Sequence, residues 1–188
     1  MKKLLTMAVL MVATLTASAQ QEPGSWSVTP KVVMNLSNLT GDISNNSMKV
    51  GLAAGAEAMY QINPLVGVSA GLLYSMQGCS GDGDLKLNYD FLNIPVLANF
   101  YVAPNFALKV GLQPAFVVSA KYKSGKQELD VKDNLQSLEL SVPIGASYEI
   151  SSFVIDARYN LGISKVNKHD GSIRNSVFQI SVGYKIPF

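Results

Sequence analysis

The sequence is poor in the residues that most catalytic and metal-binding sites are built from. It holds one cysteine, one histidine and one tryptophan in 188 residues. Cys79 has no second cysteine to pair with, so no internal disulfide forms, and it reads as an incidental thiol in a loop. Cys79, His169 and scattered loop acids make no metal-ligand set of recognisable spacing. Asp82-Gly83-Asp84 lacks the further oxygen ligands of a calcium loop. Nucleophilic catalysis needs a base oriented beside its nucleophile. His169, next to Asp170 and within reach in sequence of Ser164 and Ser172, sits in a long polar stretch and reads as solvated. No catalytic, cofactor-binding or metal residue is expected, and the chain does not read as an enzyme.

Net charge is scarce as well. Lys and Arg number 15 against 13 Asp and Glu, and Lys2 and Lys3 lie in what reads as a leader, so the remainder balances. A basic patch, the electrostatic footprint of a nucleic-acid partner, is missing. Long apolar runs are also missing, with one exception. Leu4 to Leu15 is interrupted only by threonines and is too short to span a bilayer, which takes about 20 residues in a helix. Preceded by two lysines and followed by Ala17-Ser18-Ala19, it reads as a cleaved secretory signal over residues 1–19, with the mature chain from Gln20. Gln20, not a cysteine, stands directly after the cleavage site, so no lipoprotein anchor is expected.

What fills residues 20–188 is alternation with period two, in segments of about ten residues. In the last segment Phe178, Ile180, Val182, Tyr184, Ile186 and Phe188 share one face, opposite Gln179, Ser181, Gly183 and Lys185. Seven earlier segments follow the same rule, near 26–36, 50–62, 66–77, 92–102, 106–119, 138–149 and 153–164. Three connections are tight: Asn63-Pro64, Ala103-Pro104-Asn105 and Ser151-Ser152. Four are long and polar, over 37–48, 78–86, 122–136 and 165–176, and short and long alternate strictly. That is the rhythm of an outer-membrane barrel, with short periplasmic turns and long extracellular loops. An even strand number also puts both termini on the periplasmic side.

A soluble β-sandwich would bury its apolar face. Here one face carries large side chains on all eight segments, and the other carries charges and glycines on most of them. Trp26, Tyr60, Phe100, Phe106, Tyr148, Phe153, Tyr184 and Phe188 gather toward the short-turn side, where an interfacial girdle belongs. The reading is an all-β, eight-stranded antiparallel up-and-down transmembrane β-barrel in a Gram-negative outer membrane. Pro114 and Pro143 fall within strands and lack a ladder donor, so bulges are expected at both. An irregularity is expected where Tyr89 and Phe91 meet Leu92.

Eight strands leave a bore just wide enough for side chains to fill. The inward set includes Lys31, Glu57, Lys109, Lys121, Glu139, Glu149, Asp156, Arg158 and Lys185. Charges so crowded need partners. The expected network joins Glu149, Asp156, Arg158 and Lys185, with Lys31 and Glu57 across another strand pair. It reads as a structural plug in preference to a proton path or ion pore.

The ordered motifs Pro30 to Leu39 (PKVVMNLSNL), Lys49-Val50-Gly51, Leu73-Tyr74-Ser75-Met76-Gln77-Gly78, Tyr89 to Pro95 (YDFLNIP), Arg158-Tyr159-Asn160-Leu161-Gly162 and the terminal Gly183-Tyr184 strand cover nearly the whole mature chain. Together they resemble the PorT-like outer-membrane β-barrel proteins common in Bacteroidetes. The resemblance implies a barrel without catalytic residues, and its namesake takes part in protein export through the type IX secretion system. Tyr184 and Phe188 on an aromatic-alternating last strand resemble the signal read by the barrel-assembly machinery. Expected partners are therefore outer-membrane lipid, that machinery, and a secretion complex or extracellular ligand at the loops. The 122–136 loop, with Lys123, Lys126, Glu128, Asp130, Lys132 and Asp133, is the leading surface for such a ligand.

Overall fold

The computed structural model describes residues 22–40, 47–80, 85–124, 127–130, 136–164 and 174–188. The leader, Asp82-Gly83-Asp84, His169 and Asp170 lie outside the described residues, as do Lys126, Lys132 and Asp133. The side chains of Cys79, Lys121, Lys123, Glu128 and Asp130 also lie outside the described set.

Eleven strand segments build one sheet: β1 (Trp26–Thr40), β2 (Ser47–Asn63), β3 (Val66–Ser80), β4 (Leu85–Asn93), β5 (Val96–Ala103), β6 (Phe106–Ser124), β7 (Gln127–Asp130), β8 (Leu138–Ile150), β9 (Phe153–Gly162), β10 (Arg174–Tyr184) and β11 (Ile186–Pro187). β4 and β5 are two halves of one barrel strand, since both pair with β3 on one side and β6 on the other. β7 is a short return strand against the end of β6, and β11 carries the line of β10 onward beside β1. The result is a closed eight-stranded antiparallel barrel. β1 zips onto β10 from Lys31 opposite Gly183 to Thr40 opposite Arg174, which closes the barrel wall. Closure matters because hydrocarbon offers no partner to an unpaired backbone group.

Alternation runs through every barrel strand, and it is the reverse of a soluble protein's. Val32, Leu52, Leu72, Leu112 and Ile144 are each more than half exposed on the outer wall, while Lys31, Glu57, Lys109, Asp156 and Arg158 are buried inside. An apolar band encircling the molecule far exceeds the patches that soluble monomers expose. At the short-turn end Trp26 packs on Tyr60 with ring centroids 4.9 Å apart, and Phe153 meets Tyr184 edge-on at 5.4 Å.

The three tight turns fall where the sequence places them. Asn63 closes the first, its Oδ1 accepting the backbone N–H groups of Leu65 and Val66 at 2.9 Å. Asn105 and Ser151 take positive φ of 62° and 55° in the other two. At the opposite end the strands run on into the stretches read as loops: β1 reaches Thr40, β3 reaches Ser80 and β6 reaches Ser124. Polarity on both faces hides those strand ends from a period-two reading, although the hydrogen-bond ladder continues.

The expected proline bulges are absent. Opposite Pro143 the register of β6 with β8 is unchanged, and the ladder simply lapses between Val110–Ile144 and Gln113–Ser141. Pro114 keeps its rung, with its carbonyl accepting Ile94 N–H at 2.9 Å. The proline that does interrupt a strand is Pro95, which separates β4 from β5. The register shift near Phe91 is real but belongs to β6. Asp90 faces Ser119 and Phe91 faces Val117, so Val118 is the extra residue. Tyr89 and Phe91 keep their parity and point into the bore, both buried.

The outward face predicts a depth-dependent cost. Ile180→Arg, at mid-height on β10, should destabilise the barrel by about 2–4 kcal/mol, and Leu161→Arg, near the end of β9, by about 0–1 kcal/mol. Reversible urea unfolding in lipid vesicles measures both.

Candidate functional site: the charged bore

Five charged side chains from four strands meet at mid-height. Lys31 comes from β1, Glu57 from β2, Lys109 from β6, and Asp156 and Arg158 from β9. The period of two brings Asp156 and Arg158 to the same face of β9, where the Arg158 guanidinium folds back on its neighbour. Nε donates to Asp156 Oδ1 at 2.7 Å and Nη2 to Oδ2 at 2.8 Å. Glu57 is the hub. Its Oε2 accepts from Lys31 Nζ at 2.8 Å and from Arg158 Nη2 at 3.0 Å, and its Oε1 accepts from Lys109 Nζ at 3.1 Å. Lys109 Nζ also lies 2.9 Å from Asp156 Oδ2.

These contacts cross the bore. Going round the wall, β2 is three barrel strands from β6 in one direction and three from β9 in the other. Glu57 therefore ties opposite walls together, and the cluster occupies the centre. Gly145 makes room for it. It is in register with both Lys109 and Arg158, and a Cβ there would stand 2.5 Å from Arg158 Cβ.

Glu149 and Lys185 stand apart from this cluster, toward the short turns. Lys185 Nζ donates to Glu149 Oε2 at 2.8 Å, and Tyr101 Oη donates to Glu149 Oε1 at 2.7 Å. The grouping expected from sequence is thus divided differently: Asp156 and Arg158 join Lys31, Glu57 and Lys109, not Glu149 and Lys185. Sequence neighbours on adjacent strands were the guide there, whereas contacts across the bore decide the arrangement. Glu139 joins neither group and lies toward the long-connection end, 3.5 Å from Asn175 Nδ2.

Two parts of the bore escaped the sequence reading. Val33, Ala53 and Leu73 form a small apolar core on the inner wall. A ladder of amides and hydroxyls also crosses it: Gln179 donates to Asn35 Oδ1 at 2.8 Å, Asn35 donates to Ser75 Oγ at 2.9 Å, and Gln77 donates to the same Oγ at 2.9 Å. The signal was present, because Asn35, Ser75, Gln77 and Gln179 all fall on the inward parity.

Among the described residues, no group of three or more His, Cys, Asp or Glu side chains is placed to hold a metal. A sequence model of the outer membrane protein beta-barrel domain matches residues 18–168. The chain belongs to the outer membrane protein beta-barrel domain family. The match is to this general family and does not single out PorT-like members or Bacteroidetes. No curated protein matches the chain. Among solved structures, Ail, the attachment invasion locus protein of Yersinia pestis, is 17% identical with a TM-score of 0.56, the match covering 88% of this chain and all of that one. Neisserial surface protein A is 18% identical with a TM-score of 0.51, covering 87% and 97%. These likenesses establish the shared barrel fold, and this outer-membrane barrel fills it with its own charges.

Removing the hub should be costly. Glu57→Gln leaves three buried cations short of a partner and should destabilise folding by about 3–5 kcal/mol. Lys185→Met, which leaves Tyr101 still donating to Glu149, should cost less. Equilibrium unfolding of the two variants under one condition gives the comparison.

Proposed function

We propose that this chain is a non-enzymatic outer-membrane barrel that acts through its lipid-facing wall and its long connections, with a bore that conducts nothing. One observation carries the reading. Glu57 is bound at once to cations from three other strands, two of them on the far side of the bore. An ion permeating the barrel would have to displace those bonds in a space an eight-stranded wall leaves only wide enough for side chains.

The rest follows the same logic. The aromatic short-turn end faces the periplasm, where a chain exported behind a cleaved leader arrives, and the long connections face outward as the binding surface. Tyr184 and Phe188, both exposed on the outer wall at the last strand, form the face presented to the barrel-assembly machinery. A role beside a type IX secretion complex rests on the PorT-like motifs alone. A pull-down from native membranes separates it from a solitary barrel, because only an export role predicts co-purification of the complex.

Planar-bilayer recording of the purified barrel tests the main reading. The expected record is a flat baseline, and steady openings of nanosiemens size would contradict it.

A further inference from the structure

Above the central ion cluster, toward the long connections, lies a second polar chamber that the plug does not use. It is a cavity of about 20 Å³ whose lining includes Glu139, Asn93, Gln113, Asn160, Gln77 and Asn175. That volume admits one water-sized guest, since about 10–15 Å³ is the minimum for one. Its lining is unusual for a folded interior. Asn93 is fully buried, and neither its Oδ1 nor its Nδ2 has a hydrogen-bond partner. Gln113 Oε1 and both side-chain polar atoms of Asn160 are likewise buried and unpartnered. Buried polar atoms are rarely left so, because each costs its full desolvation.

Glu139 has the same problem with a charge. It is buried, it forms no salt bridge among the described residues, and its hydrogen bond comes from Asn175 at 3.5 Å. The cationic cluster does not serve it. Glu139 stands six residues along β8 from Gly145, the residue level with Lys109 and Arg158, which is about 20 Å of strand. Arg158 is not among the residues lining the chamber.

We propose that this chamber binds one small hard cation of the sodium class, held by the Glu139 carboxylate and the side-chain oxygens of Asn93, Gln113 and Asn160. One carboxylate matches one positive charge. Carboxylate and carbonyl oxygens are the donors that hard cations take, and three amide oxygens replace part of the ion's hydration shell. The guest gives the lone acid a counter-charge and the amide oxygens a partner, and it leaves the amide N–H groups of Asn93 and Asn160 to other acceptors. The site stabilises the folded barrel by mass action, because the unfolded chain does not assemble it.

The test is thermal unfolding of the purified barrel at constant ionic strength, with sodium chloride exchanged stepwise for N-methyl-D-glucamine chloride. The wild type should gain stability with sodium and saturate. Glu139→Gln, which keeps the size and removes the charge, should need at least tenfold more sodium for half the effect. An equal sodium response in the two proteins, or none in the wild type, overturns the proposal. Diffraction from wild-type crystals soaked in rubidium chloride keeps the proposal testable if the variant does not fold. An anomalous peak between Glu139, Asn93 and Asn160 supports the site, and no peak there together with no effect of sodium on wild-type unfolding overturns it.

Discussion

A carboxylate that holds opposite walls of a barrel together is the constraint from which the rest of this structure follows. Glu57 has one charge and accepts from three cations, and with Asp156 it leaves the five groups one positive charge in excess. Those five groups hold one another in a buried place through shared charge-assisted hydrogen bonds, with Arg158 Nη1 left over. Remove one and its mates stay behind in a medium that solvates them poorly. The cluster therefore ties β2 to β6 and to β9, strands that the backbone ladders do not pair. It also explains the glycine opposite: Gly145 lies where Lys109 and Arg158 converge, and a side chain there would take their space.

The outer wall answers a different requirement. Lipid supplies no hydrogen bonds, so every backbone group must pair within the protein, and closing β1 onto β10 achieves this. Once the sheet is closed, strict alternation sends every second residue to lipid and every other residue inward. A chain that puts Val, Leu, Ile and aromatics at the first set and Ser, Asn, Gln and charges at the second can fold only with its polar side in. Membrane location and a filled bore are thus two consequences of one pattern.

Much of this was legible in the residues. Periodicity located all eight barrel strands and their inward parity except at the end of β6. There the extra residue Val118 turns Ala120 inward beside Tyr89 and puts Ser119 and Lys121, read as inward, on the other parity. The turn residues Asn63, Asn105 and Ser151 marked the short connections. What stayed hidden has physical causes. Pairing across the bore depends on which strands end up opposite and at what stagger, and no local pattern encodes that. Hence Asp156 and Arg158 were grouped with Lys185, yet bind Lys31, Glu57 and Lys109. Bulges were expected at Pro114 and Pro143 because prolines lack a donor, and an irregularity near Phe91; only the second is found, on the facing strand. Pro143 costs rungs without shifting register, however, and Val118, an unremarkable β-former, carries the extra residue. Tyr89 and Phe91 look like errors in alternation because they put apolar groups on an inward face, whereas they serve to fill the bore.

The central claim is that Glu57 and Arg158 couple directly across the bore, 101 residues apart in sequence. A double-mutant cycle of Glu57→Gln and Arg158→Met, read by equilibrium unfolding in lipid vesicles, measures that coupling with the two single losses subtracted. The account predicts that the double variant is markedly less destabilised than the sum of the singles, by about 1–3 kcal/mol. Additive losses would mean that the two groups act independently, and would contradict it.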